Sequence, residues 1–114
     1  MCSILIIDDD KGILDFMQKA LSASGYNVEV AEDGFKGIQK FDRGDFDIVI
    51  TDMEMPILDG RGVVQHIRTS NKKSSIIFGM SGSPWLFENL DFDFTLSKPF
   101  LIKELVDTVK RLSN

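Results

Sequence analysis

Short β-branched runs alternate with amphipathic helical stretches from one end of this chain to the other, and that alternation restricts the fold more than any other feature. Ser3-Ile4-Leu5-Ile6-Ile7 is an apolar run cut off by Asp8-Asp9-Asp10, the pattern of a buried strand ending in an acidic loop. Lys11 to Ser24 carries Ile13, Leu14, Met17, Ala20 and Leu21 at spacings of three and four, one face of a helix, and Gly25 sits where a left-handed cap would end it. Tyr26 to Ala31 alternates apolar and polar residues, as in a strand exposed on one side. Asp33-Gly34 opens a second helical pattern through Phe35, Ile38 and Phe41, closing near Arg43-Gly44. Asp47 to Thr51 reads as a third strand, followed by a helix from Gly60 to about Ser70 with Val63, Val64 and Ile67 inward. Ser75 to Met80 is a fourth strand and Phe92 to Ser97 a weaker fifth. Leu101 to Leu112 is a last helix with Leu101, Leu105, Val109 and Leu112 on one side.

Such alternation requires parallel strands joined by right-handed crossovers, so the expected class is a three-layer α/β sandwich. A five-stranded doubly wound sheet of order 2-1-3-4-5 follows as the expectation, with a crevice at the switch between strands 1 and 3. The fourth helix has little room. Sixteen residues, 82–97, separate Ser81 from Lys98, and a strand takes some of them, so this helix is expected to be short, irregular or partly unwound.

Composition fits one soluble domain spanning 1–114: hydrophobic residues make up 43% and charged residues 27%, with no repeat and no linker. Thirteen basic against eighteen acidic side chains give a net charge of -5, which argues against direct nucleic-acid binding, since that rests on clustered cations. Cys2 is the single cysteine, excluding an internal disulfide or a cysteine metal cage. No signal peptide or membrane span is read at the N-terminus, and a cytoplasmic setting is expected.

The third strand leads into Thr51-Asp52-Met53-Glu54-Met55-Pro56-Ile57-Leu58-Asp59-Gly60. Asp52 thus stands at a strand's carboxyl end, where ligands bind in open α/β sheets. The switch-point geometry should bring Asp8 and Asp9 to face it. Carboxylates about 5 Å apart repel by about 3 kcal/mol per ionised pair in a moderately polar medium. A raised pKa, a nearby ammonium or a divalent cation would offset this. All-oxygen ligation suits Mg²⁺, and the Glu54 backbone carbonyl is a further candidate ligand. The ends of strands 4 and 5 add the Ser81 hydroxyl and the Lys98 ammonium, the donors that an incoming phosphoryl group needs, with Gly82 leaving it room.

Together, Ile6-Ile7-Asp8-Asp9-Asp10, the Thr51 to Gly60 segment, Met80-Ser81-Gly82 and Ser97-Lys98-Pro99-Phe100 resemble the receiver domain of two-component response regulators, in the family's order and over the whole chain. The strand order given above is that of the family's chemotaxis members, so the two expectations are not independent. The resemblance implies that Asp52 takes a phosphoryl group from the phosphohistidine of a histidine kinase or phosphotransfer protein. It implies Mg²⁺ on Asp9, Asp52 and the Glu54 carbonyl, with Asp8 helping through water. Ser81 would bond a phosphoryl oxygen, Lys98 would pair with it, and the Lys98-Pro99 bond would be cis. Such a protein is a signalling switch for an output partner, not a turnover enzyme. In one respect the chain departs from the family: Thr95 stands where an aromatic residue is usual, three before the lysine. Phe94 should face the opposite side of the strand. With the short fourth helix, this predicts an altered readout of phosphorylation.

Other readings compete. A haloacid-dehalogenase-type phosphatase also uses a strand-end aspartate and Mg²⁺, but it wants a second Asp where this chain has Glu54, and Pro56 breaks its pattern. Flavin or nucleotide binding would need a cradle of Gly and Ser/Thr in place of Asp8-Asp9-Asp10-Lys11-Gly12. A docking module indifferent to phosphate remains the third. Asp10 and Asp59 read as helix or turn caps. His66 reads as a solvated helix residue without an acidic partner in sequence. Trp85 and Phe87 either pack over the sheet edge or expose an apolar patch, and Cys2 is an inert small residue.

Overall fold

The computed structural model describes residues 2–72 and 74–113. The elements run β1 (Ser3–Ile7), α1 (Lys11–Ala23), β2 (Asn27–Ala31), α2 (Gly34–Arg43), β3 (Ile48–Asp52), α3 (Gly60–Arg68), β4 (Ile76–Ser81), β5 (Phe94–Ser97) and α4 (Ile102–Leu112), with one 3₁₀ turn, Pro84–Phe87, between β4 and β5. All strand pairs are parallel, in the order β2-β1-β3-β4-β5. The expected topology is present, and element ends differ from the sequence pattern by one or two residues, as fraying ends do.

Side chains alternate across each strand, so one sheet supports two cores. Ile4, Ile6, Ile48, Ile50, Phe78 and Met80 bury one face against Leu14, Met17, Leu105 and Val109 of α1 and α4. Leu5, Ile7, Val49 and Ile77 bury the other against Phe41, Val63, Val64 and Ile67 of α2 and α3. The three central strands are covered on both faces, which is why their sequences are continuous apolar runs while β2 alternates.

Helix starts follow the expected caps. The Asp10 carboxylate accepts the Gly12 and Ile13 amides, Asp33 accepts that of Lys36, and Asp59 that of Gly62. Gly25 closes α1 at φ 95°, a conformation costly for any residue with a Cβ.

A fourth helix of ordinary length is replaced by the single 3₁₀ turn. It is too short to cover the β4–β5 half of its face. Instead the Phe87 and Phe92 rings meet edge to face, centroids 5.4 Å apart, and both reach within 3 Å of where a Cβ on Gly79 would stand. The connection is tied down from α3. Arg68 donates to the Asp91 and Ser75 carbonyls and pairs with Asp93 at 2.7 Å, while Asp93 also accepts the Ile77 amide. On the same strand pair Phe94 lies half-buried against Phe78 and Thr95 is exposed, the opposite facing predicted for them.

His66 differs from its sequence reading. Its Nε2 lies 2.8 Å from Asp42 Oδ1, an acidic partner on α2, while the ring stays on a partly exposed helix face as read. The partner is twenty-four residues away on a neighbouring helix, out of reach of any local pattern.

Candidate functional site

Register assembles the site. Ile7 pairs with Thr51, so Asp8 and Asp52, one residue further on, emerge side by side at the ends of β1 and β3. Asp52 pairs with Met80, and Ser81 with Ser97, which carries the hydroxyl and then Lys98 to the same rim. All the expected site residues therefore lie at one end of the sheet.

Carboxylate oxygens of Asp8, Asp9 and Asp52 lie within 4.8 Å of one another. Asp8 and Asp52 are buried and Asp9 is exposed, the geometry of an open cation site with two fixed walls. Lys98 Nζ sits 3.1 Å from Asp52 Oδ1 and 3.3 Å from Asp8 Oδ2. Asp8 Oδ1 also accepts the Asp10 amide at 2.9 Å, which fixes the plane of that carboxylate. The Lys98-Pro99 bond is cis, as expected.

Electrostatics leave the site short of positive charge. Burial pushes the Asp8 carboxyl above its ordinary range, against the Asp10 amide and the Lys98 ammonium, with Asp9 adding to the rise. Burial likewise raises Asp52, opposed by the Lys98 hydrogen bond and helped by the Asp8 charge. For Lys98, burial works downward but is outweighed by the Asp52 hydrogen bond and the Asp8 and Asp52 charges, which hold it above its ordinary value. One ammonium faces three carboxylates, so two negative charges remain for a divalent cation to meet. Oxygen donors only, two of them buried and rigid, suit Mg²⁺.

The loop after β3 is tied together by its own backbone. Gly60 packs so closely on it that a Cβ there would lie 2.6 Å from the Asp52 carbonyl oxygen, and its amide bonds the Met53 carbonyl. Between them the Leu58 amide donates to the Pro56 carbonyl at 2.8 Å, closing a three-residue turn around Ile57 at φ 73°. This drives the Ile57 side chain outward, to 82% exposure.

Ser81 is buried, and its Oγ contacts Glu54 Oε1 and the Ser83 carbonyl while accepting the Ser83 amide. Glu54 was expected to matter through its backbone carbonyl. Its side chain engages Ser81 as well, a contact between the loop after β3 and the end of β4 that no sequence signal indicates. Around Gly82 the space is open, as the entry of a ligand requires.

The fold and site define a receiver domain. A family model described as the response regulator receiver domain matches residues 4–110, and the chain belongs to that family. Its relatives include the transcriptional regulatory protein TrcR of Mycobacterium tuberculosis, 28% identical over 96% of this chain and 44% of that protein. Another is the response regulator MprA of Mycobacterium sp. (strain KMS), 30% identical over 96% of this chain and 49% of that one. The chain spans about half the length of these relatives. Among solved structures, chemotaxis response regulator CheY4 of Vibrio cholerae superposes with a TM-score of 0.91 at 29% identity, covering 98% of both chains. Response regulator TrrA of Thermotoga maritima, in complex with Mg²⁺-BeF, does so with a TM-score of 0.89 at 33% identity, covering 98% of this chain and 99% of that one.

Proposed function

We infer that Asp52 is a phosphoacceptor, taking a phosphoryl group from the phosphohistidine of a sensor histidine kinase or phosphotransfer protein and thereby switching an output partner. The observation that carries this is the meeting of Asp8, Asp9 and Asp52 oxygens within 4.8 Å, with Lys98 3.1 Å from Asp52. A carboxylate oxygen of Asp52 attacks phosphorus, the phosphorus–nitrogen bond breaks, and its electron pair returns to the donor imidazole.

Asp8, Asp9, Asp52 and the Glu54 carbonyl would hold Mg²⁺, which supplies charge neutralisation for the phosphoryl oxygens. Lys98 neutralises the acceptor and would pair with a phosphoryl oxygen once Asp52 is phosphorylated. The Ser81 hydroxyl supplies the remaining donor. Hydrolysis of the acyl phosphate resets the site, so the chain catalyses its own transfer and dephosphorylation and no further turnover.

An apolar shelf of Ile13, Phe16, Phe100 and Ile102 adjoins Lys98, with Phe16 58% exposed. Its continuity with the acceptor site makes it our choice for the phosphohistidine-bearing partner. Among the described residues no helix is long and apolar enough to cross a membrane, and a cytoplasmic setting is part of this proposal.

Incubation with acetyl phosphate and Mg²⁺ should add one phosphate by intact mass. Asp52→Asn should abolish the adduct. An unmodified wild type, or an adduct that survives in Asp52→Asn, overturns the assignment.

A further inference from the structure

The 3₁₀ turn Pro84–Phe87 places the chain's single tryptophan at the surface, where Trp85 is 68% exposed. Phe87, two residues on, instead reaches in over Gly79. The turn ends at Glu88, whose backbone is extended at φ -60° and ψ 137°, so no second helical turn rises to cover the indole.

Trp85 and Leu86 form one wall of a groove, and Met55 and Pro56, on the loop after β3, form the other. The buried Met53 also lines it, its amide donating to the Met80 carbonyl and its carbonyl accepting the Gly60 amide. One wall is therefore fixed to the sheet before anything binds, which lowers the ordering cost of association. An exposed tryptophan beside such a groove marks a docking surface, since indoles supply much of the binding energy at interfaces.

Charge decides what fits. Glu54 and Asp59 line the groove and Glu88 ends the turn; all three are exposed, and none forms an ion pair among the described residues. Residues 82–97 contain no Lys, Arg or His to offset them. Asp91 and Asp93 are already taken by Arg68, which leaves Glu88 as that segment's carboxylate for a partner. Among the described residues Arg61 is the one cation lining the groove, and three carboxylates outnumber it.

An exposed indole beside unpaired carboxylates suits a guanidinium, which stacks on the ring face while its edge donates to an acid. A second copy of this chain carries a net charge of -5 and is repelled. The groove shares no residue with the apolar shelf beside Lys98, so a phosphohistidine donor on that shelf leaves it open.

We propose that the groove between Trp85 and Met55 docks an output partner through an arginine-bearing segment. The guanidinium stacks on Trp85 and pairs with Glu54 or Glu88, and a neighbouring apolar side chain seats between Met55 and Leu86. The partner's role as output rests on the receiver reading above; the docking itself is a property of the groove.

The test titrates the whole chain, in saturating Mg²⁺ and without a phosphoryl donor, with a blocked peptide of Leu and Arg at helical spacing. Trp85 emission and residue-resolved amide shifts are read. The peptide should move amides of 53–61 and 83–88, with an affinity that falls as salt is added. A peptide with Glu in place of Arg should not bind. By amide shifts, Trp85→Ala should weaken binding about tenfold. Glu54→Gln/Glu88→Gln should weaken it about as much, and Arg61→Glu should tighten it about threefold. Asp15→Asn/Asp107→Asn, the same charge change placed on α1 and α4, should leave the affinity as it was.

Amide shifts centred on 8–10 would assign the peptide to the acceptor carboxylates and overturn the proposal. So would an unchanged affinity in Trp85→Ala, an equal loss in Asp15→Asn/Asp107→Asn, or binding of the Glu peptide. A Trp85-dependent dimer of the unliganded chain would give the groove to a second copy and overturn it too. Each of these leaves the acetyl phosphate adduct on Asp52 standing. A missing adduct with the peptide still bound removes the partner's role as output and keeps the docking site.

Discussion

The Lys98 ammonium lies 3.1 Å from the Asp52 carboxylate and bridges it to Asp8, joining the end of β5 to the ends of β3 and β1. It is the one cation in contact with these carboxylates among the described residues. Lys98→Met keeps most of the packing volume and removes the charge. Because Lys98 retains some solvent contact, the expected loss is about 1–2 kcal/mol, below the range for a fully buried pair. Urea denaturation in chelator checks it, and the loss should shrink in an Asp52→Asn background, since the two sites share one interaction.

Asp52→Asn alone should stabilise the metal-free protein. It removes a buried carboxylate that burial and the Asp8 charge both disfavour, leaving Lys98 paired to Asp8. The expected gain is about 1 kcal/mol, or about 4 °C in melting temperature. Thermal unfolding in chelator would show it, and added Mg²⁺ should narrow the gap by stabilising only the wild type.

Stability of the metal-free protein should fall as pH rises through the acidic range. Asp8 and Asp52 have folded pKa values raised above the ordinary 3.8, so in the window above that value the folded state holds protons the unfolded chain has lost. Their contribution is fully present below the unfolded value and disappears as pH passes the folded ones. Lys98 acts at the other end: its raised pKa contributes stability below 10.5 that is lost as pH climbs through its folded value. Denaturation midpoints at several pH values, wild type against an Asp8→Asn/Asp52→Asn double variant, isolate the carboxylates. A difference that does not widen between about pH 4 and about pH 7 would contradict this linkage.

Arg68→Ala should cost about 2–4 kcal/mol. Its guanidinium satisfies carbonyls of Ser75 and Asp91 and pairs with Asp93, which in turn holds the Ile77 amide. Arg68→Lys should recover less than half of that loss, because an ammonium cannot reproduce the fork. Chemical denaturation of both variants provides the comparison, and hydrogen exchange should show the 84–93 connection opening first.

Ile57→Gly should stabilise by about 1 kcal/mol. A β-branched residue at φ 73° is strained, and with the side chain 82% exposed there is little packing to lose. An unchanged or lower melting temperature would mean that the outward Ile57 side chain makes contacts that outweigh the strain.

Much of this protein is legible in local patterns. Two-residue and 3.6-residue periodicities mark the strands and helices, Asp10, Asp33 and Asp59 sit where helices begin, and the spacing from Ser81 to Lys98 leaves room for only a short helical turn between β4 and β5. The acidic cluster was equally visible. Asp8 and Asp9 close one strand pattern and Asp52 another, and parallel pairing of neighbouring strands brings such ends together.

What the sequence by itself determined, then, was the order of elements and the rim at which their charged ends meet, because both follow from periodicity and chain direction. Tertiary structure alone decided the pairings across that frame: His66 with Asp42, Arg68 with Asp93, and Ser81 with Glu54 and Ser83. The last of these depends on how two loops of irregular backbone approach each other to within a few tenths of an ångström. No repeat in the residues encodes that distance. It is set by the packing of the strands beneath, and by a Gly60 backbone packed against Asp52 and Met53 where the Glu54 loop begins.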